Sequence, residues 1–157
     1  MQDIRVATML PPAPQDPNVV IVAITEDTLK QFPYRSPVDR EFLAKLLLSL
    51  DAKKPRAIGL DVLFDQQTEP AKDALLRDTM ANLKTPLLVS FSDNRQIVDA
   101  AQLKYLTSFL PPRLRARAEF SVDPVDGTVR WIFPGEKGID GRYVPGLARA
   151  LAARASS

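Results

Sequence analysis

The sequence predicts an α/β protein: a mostly parallel sheet flanked by helices, then a C-terminal β-hairpin and a terminal helix. Three observations carry that prediction. Apolar, branched runs of strand length occur at residues 19–24, 56–64 and 87–91, as expected of strands covered on both faces. Capped, helix-length segments separate them, long enough for the crossovers that parallel strands require. Pro and Asp-Gly between short segments at 118–122 and 128–133 mark a hairpin.

Each element has its own local reason. Residues 1–18 read as an extended lead-in, because four of the 14 prolines fall within residues 9–17 and exclude helix there. The run V-V-I-V-A-I at 19–24 suits a central strand. Thr25 is positioned to cap a short helix over 26–32, where Glu26 and Asp27 suit the positive end of the helix dipole. Ser36-Pro37-Val38-Asp39 reads as the start of the next helix, with Ser36 as cap and Pro37 at the first helical position. Phe42, Leu43, Leu46, Leu47 and Leu50 then follow at helical spacing, and Glu41 and Lys45 form an exposed i,i+4 pair. Lys53-Lys54-Pro55 ends that helix. Glu69-Pro70 opens another, with Ala71, Ala74, Leu75, Asp78 and Leu83 as its weaker inward face. Asp99 and Gln102 form the capping pair of a helix over 99–110, stopped by Pro111-Pro112. A glycine-rich loop at 135–141 precedes the last helix, at about 145–155.

Composition narrows the chemistry. At 157 residues the chain fits a single domain with a substantial core. With 21 basic and 19 acidic residues, the charge is too evenly balanced for a nucleic-acid partner. There is no cysteine and no histidine, which excludes Ser-His-Asp and Cys-His mechanisms and zinc sites of the Cys/His kind. No apolar run approaches the ~20 residues that span a bilayer. Met1-Gln2-Asp3-Ile4-Arg5 places an acid where a signal peptide has a basic region. The chain reads as part of a longer protein.

The polar residues that stand out are carboxylates beside apolar runs. Asp61 sits within R-A-I-G-L-D-V-L-F-D and Asp65 at its exit. A carboxylate inside a core strand is costly unless paired or hydrogen-bonded. In an extended strand the two would share a face roughly 13 Å apart, converging only if the chain bends at Phe64. Arg40 stands in the first turn of a helix, where the dipole disfavours a cation, so an acid is expected to hold it: Asp61 or Asp27. Asp27, Arg40 and Asp61 are therefore expected to form one polar cluster at the carboxyl edge of the sheet, where α/β proteins bind ligands. Asp27, Arg40, Asp61 and Asp65 are the candidate ligand-binding residues. The preferred reading of Asp61 is a brace satisfied by backbone amides or an arginine; a metal or polar ligand is the alternative, and with it a metal-dependent hydrolase using Asp61 and Asp65. Arg113, Arg115 and Arg117 read as a solvated basic face, and Asp126-Gly127 as a hairpin turn.

With these residues placed, the chain resembles the type-two CHASE domain, a sensor of bacterial signalling receptors. The features occur in the family's order: Asp3-Ile4-Arg5; the run V-V-I-V-A-I-T-E-D-T-L; the helix start S-P-V-D-R-E-F-L-A; the strand G-L-D-V-L-F; D-x-x-D-G-x-x-R from Asp123 to Arg130; and Pro-Gly-Leu-Ala, where the family tends to have Pro-Ser-Leu-Ala. Two departures stand beside them. No Trp is found near Phe32-Pro33, where the family usually has Trp-Pro, and the family domain usually runs on through another glycine-rich segment to membrane helices. The resemblance implies a single, non-enzymatic sensor domain over 1–157, periplasmic, within a receptor anchored in the inner membrane. It implies a relay from a small-molecule or protein signal to a cytoplasmic cyclase or kinase output. It offers no catalytic residues, cofactor or metal to carry over, and it leaves a homodimer open.

Overall fold

The computed structural model describes residues 14–156. The Asp3-Ile4-Arg5 lead and most of the proline-rich lead-in lie outside the described residues. The chain divides into two units, Met1–Pro33 and Tyr34–Ser157.

In the first unit the apolar run at 19–24 is not the strand that was expected. It takes no regular structure, and Val19, Val20, Ile21 and Val22 are each more than half exposed. A strand needs a neighbouring chain to complete its backbone hydrogen bonds, and the described residues of this unit contain no second extended segment to serve. The helix that follows is shorter than expected: α1 spans Glu26–Leu29, with Thr25 as its cap, accepting from Thr28 N at 3.4 Å.

The second unit holds the sheet. Helix α2 (Arg40–Asp51) starts later than the Ser36-Pro37 signal suggested. Asp39 is its N-cap, accepting from Phe42 N at 2.8 Å, while Ser36-Pro37 is a cis peptide just upstream. Leu43, Ala44 and Leu47 are buried along its inner face, and Glu41 accepts from Lys45 at 2.6 Å on the outside. Strand β1 covers only Ile58–Leu60. Helix α3 (Pro70–Asn82) begins with Pro at its first position, as Glu69-Pro70 indicated, but its buried residues are Asp73, Leu76, Thr79 and Met80. The predicted face was one position out of phase: Ala71, Leu75 and Asp78 are exposed. Strand β2 (Leu87–Ser90) is buried at every position. Helix α4 (Ala100–Phe109) has the predicted capping box between Asp99 and Gln102.

A short 3-10 turn (Pro112–Leu114) leads into β3 (Arg115–Ala116), a strand that the basic alternation concealed. Arg115 and Arg117 are buried, which corrects the reading of this stretch as a solvated face. The sheet is parallel, in the order β1-β2-β3, with Ile58 opposite Leu87 and Val89 opposite Arg115. Strands β4 (Ser121–Val122) and β5 (Val129–Trp131) make the expected antiparallel hairpin. A second hairpin, β6 (Gly135–Lys137) with β7 (Tyr143–Pro145), occupies much of the predicted glycine-rich loop. The terminal helix α5 (Leu147–Ala155) closes the chain.

Two layers cover the sheet. On one face, α5 packs Leu147, Ala150 and Leu151 against Leu88 and Ala116. Gly59 pairs with Leu88, and a Cβ there would lie 2.7 Å from Leu151 Cδ1, so the glycine allows the helix its close approach. Side chains alternate along a strand, so Ile58, Leu60, Leu87 and Val89 face the opposite side. Buried Leu43, Leu47, Phe64, Leu76, Leu106 and Phe109 supply the remaining apolar core.

Candidate functional site

Two polar assemblies form around the loop that leaves β1. The first is centred on Arg40, the first residue of α2 and fully buried. Its guanidinium lies 4.5 Å from the Phe64 ring centroid and 5.9 Å from that of Phe109. Its Nη2 donates to Gln66 O at 3.2 Å and its Nη1 to Val38 O at 3.4 Å. The acid that holds it is Asp73, with Nε 3.4 Å from Oδ1, in place of the Asp61 or Asp27 expected. That Nε has no hydrogen bond of its own, so the contact is an ion pair. Asp73 is buried as well and is well supplied with donors: Thr68 N at 3.1 Å, Thr68 Oγ1 at 2.7 Å and Tyr105 Oη at 2.9 Å.

The electrostatics follow from this geometry. Burial pushes the Arg40 guanidinium down, and the Asp73 charge opposes it. Burial also acts to raise Asp73, but the two Thr68 bonds, Tyr105 and Arg40 outweigh it and hold the carboxyl below its ordinary value. The Tyr105 phenol is pushed well up by burial and by donating to Asp73. The assembly ties α2, the loop after β1, α3 and α4 together with opposite charges and complete acceptors. A rim of the same kind surrounds it: Lys72 bridges Asp39 at 2.6 Å and Glu69 at 3.1 Å, and Tyr34 donates to Glu69 at 2.9 Å.

The second assembly lies where the strands end at their carboxyl side. Asp61 is the first residue past β1 and is exposed, so it is not the core-strand carboxylate that the apolar run suggested. It accepts from Ser90 Oγ, at the end of β2, at 2.5 Å. Three residues further along, Asp93 pairs with buried Arg117, which follows β3. Arg117 also meets Glu119 at 3.1 Å and Glu136 at 3.2 Å. Burial acts to lower the Arg117 guanidinium, and the Glu119, Asp93 and Glu136 charges more than offset this and raise it. Asp93 Oδ2 accepts from Ile139 N at 2.8 Å, which fixes the β6–β7 loop to this edge.

The four residues singled out from the sequence therefore have four different partners. Asp27, in the first unit, is exposed and pairs with Lys30 at 2.8 Å. Arg40 pairs with Asp73. Asp61 bonds Ser90. Asp65 accepts from Gln102 Nε2 at 2.9 Å, so the capping residue of α4 also reaches the loop after β1. Among the described residues, no group of three or more Asp, Glu, His or Cys side chains is placed to hold a metal ion. Sequence reasoning missed Asp73, Tyr105, Ser90, Asp93 and Arg117. Only Asp73 gave a signal, as an acid in the first turn of a helix opened by proline.

The Asp123-x-x-Asp126-Gly127-x-x-Arg130 motif has a plain physical role. Arg130 Nη1 donates to Asp123 at 2.6 Å and to Asp126 at 2.8 Å, closing the β4–β5 hairpin across its turn. Gly146, in the motif Pro-Gly-Leu-Ala, is equally specific, because a Cβ there would fall 2.0 Å from Phe133 O. The described residues thus form a three-stranded parallel sheet covered by helices, with buried polar groups braced by ion pairs. The chain matches the CHASE2 domain model over residues 1–157 and belongs to that family, whose members are extracytoplasmic sensory domains. No curated protein and no solved structure matches it.

Proposed function

We propose that this chain is the periplasmic input module of a signalling receptor anchored in the inner membrane, passing a small-molecule or protein signal to a cytoplasmic cyclase or kinase output. Family membership supports the sensory role. One observation carries the reading of the site: Asp61 and Ser90 stand at the carboxyl edge of a parallel sheet, with Asp61 exposed, whereas Arg40 is fully buried against Asp73. Asp61 and Asp65 are then the accessible half of the candidate site, and Arg40 holds their loop from beneath. Asp27 belongs to the first unit, where it pairs with Lys30. No helix of the described residues is long and apolar enough to cross a membrane.

The test is made in the full-length receptor. Asp61→Asn combined with Ser90→Ala is expected to change the output activity, read as nucleotide product or phosphorylation, while the melting temperature of the sensor stays close to that of the parent. Unchanged basal and stimulated output would contradict the assignment. An alkaline phosphatase fusion after residue 157 is expected to be active; activity from a cytoplasmic reporter at the same point would contradict the location.

A further inference from the structure

A second concavity lies away from the Asp61 edge, between the C-terminal half of α3 and the turn that precedes β3. It has a volume of about 350 Å³, at the small end of the range for ligand pockets. Its floor is apolar, built by Met80, Phe109, Pro111 and Leu114, and its rim carries Arg77, Arg113 and Asp78. Both arginines are exposed, and neither pairs with a carboxylate among the described residues. Two guanidiniums against one carboxylate leave the rim with an excess of positive charge over a greasy floor. Lys45 and Lys72 in the same unit, by contrast, are paired with acids.

We propose that this groove binds a small amphipathic carboxylate, an aliphatic or aromatic acid, with its tail on the Met80–Leu114 floor and its carboxylate held by Arg77 and Arg113. Guanidinium groups match a carboxylate through paired, charge-assisted hydrogen bonds. Its volume suits a short chain, and its apolar floor disfavours a purely inorganic anion. The location gives the site a route into the fold. Arg77 lies 5.6 Å from the Phe109 ring centroid, and Phe109 packs 5.1 Å from Phe64, the ring on which Arg40 rests. A ligand that draws Arg77 toward the groove thereby acts on the ring stack that supports the loop after β1.

The probe is octanoate, and the reporter is the Met80 methyl group, one of three methionines in the chain. In the 157-residue chain, 13C-methyl NMR is expected to show a saturable shift of Met80 with octanoate. Half-saturation should need at least about tenfold more ligand with octanamide, or in the Arg77→Gln, Arg113→Gln variant. A Met80 signal that does not move, equal responses to octanoate and octanamide, an unaltered titration in the variant, or an equal response to inorganic phosphate would each overturn the proposal. The octanamide comparison is made on the unsubstituted chain, so it decides the matter even if the double variant folds poorly.

Discussion

Arg40 shows how a single misplaced charge can be read and still be assigned the wrong partner. A cation at the start of a helix opposes the dipole, and that alone predicts an acid beside it. The acid is Asp73, whose role was hidden because α3 looked as if it faced the core with Leu75; it faces the core with Leu76, and Asp73 lies one turn earlier on that side. Asp61 failed in the opposite way. The apolar run around it implied burial, but β1 ends at Leu60 and leaves the carboxylate in solvent. Protonation provides a residue-scale test. Asp73 and Asp39 are both held below the ordinary carboxylate value, each against the effect of burial, by Thr68 and Tyr105 in one case and by Lys72 and the Phe42 amide in the other. Their stabilising contribution is thus complete above about pH 4, the ordinary aspartate value, and is lost as pH falls through the lower folded values. Melting temperature measured across that range is expected to drop on acidification. In Arg40→Met the drop should be smaller, because Asp73 without its cation is held less far below its ordinary value; an identical pH profile would contradict the pairing.

At the scale of elements, legibility followed the distance over which the cause acts. Caps are local chemistry, and Thr25, Glu69-Pro70 and the Asp99–Gln102 box were readable directly. Strand β3 was not, because two residues paired with β2 through distant contacts leave almost no periodicity. The β6–β7 hairpin was hidden by its glycines for the same reason. Two substitutions probe these elements. Asp99→Ala removes the acceptor for Ala101 N and Gln102 N and is expected to cost about 1 kcal/mol in urea unfolding. The two glycines with close neighbours should differ. Gly59→Ala meets the end of the flexible Leu151 side chain, whereas Gly146→Ala meets the backbone carbonyl of Phe133. Gly146→Ala is therefore expected to lose about 1–3 kcal/mol and Gly59→Ala less; equal losses would show that Gly146 is not held as described.

For the whole molecule, the parallel α/β plan was legible because its helices and crossovers have lengths that few other folds accommodate. The 19–24 run was not, because apolarity on both faces states a need for neighbours without supplying them. The hydrolase reading that rested on Asp61 and Asp65 can be checked at this scale too. Each of the two carboxylates is engaged by a neutral donor, Ser90 or Gln102, so magnesium, manganese or calcium is expected to leave the melting temperature unchanged. A rise of several degrees would favour the metal-dependent alternative. What the sensor reading requires above all is a division of labour, with Arg40 bracing the fold and Asp61 free to respond. Urea unfolding of Arg40→Ala and Asp61→Asn, measured side by side, tests it most directly. Arg40→Ala leaves Asp73 buried without its cation and is expected to lose about 3–5 kcal/mol, while Asp61→Asn is expected to lose less than about 1 kcal/mol. Equal losses, or a larger loss for Asp61→Asn, would contradict it.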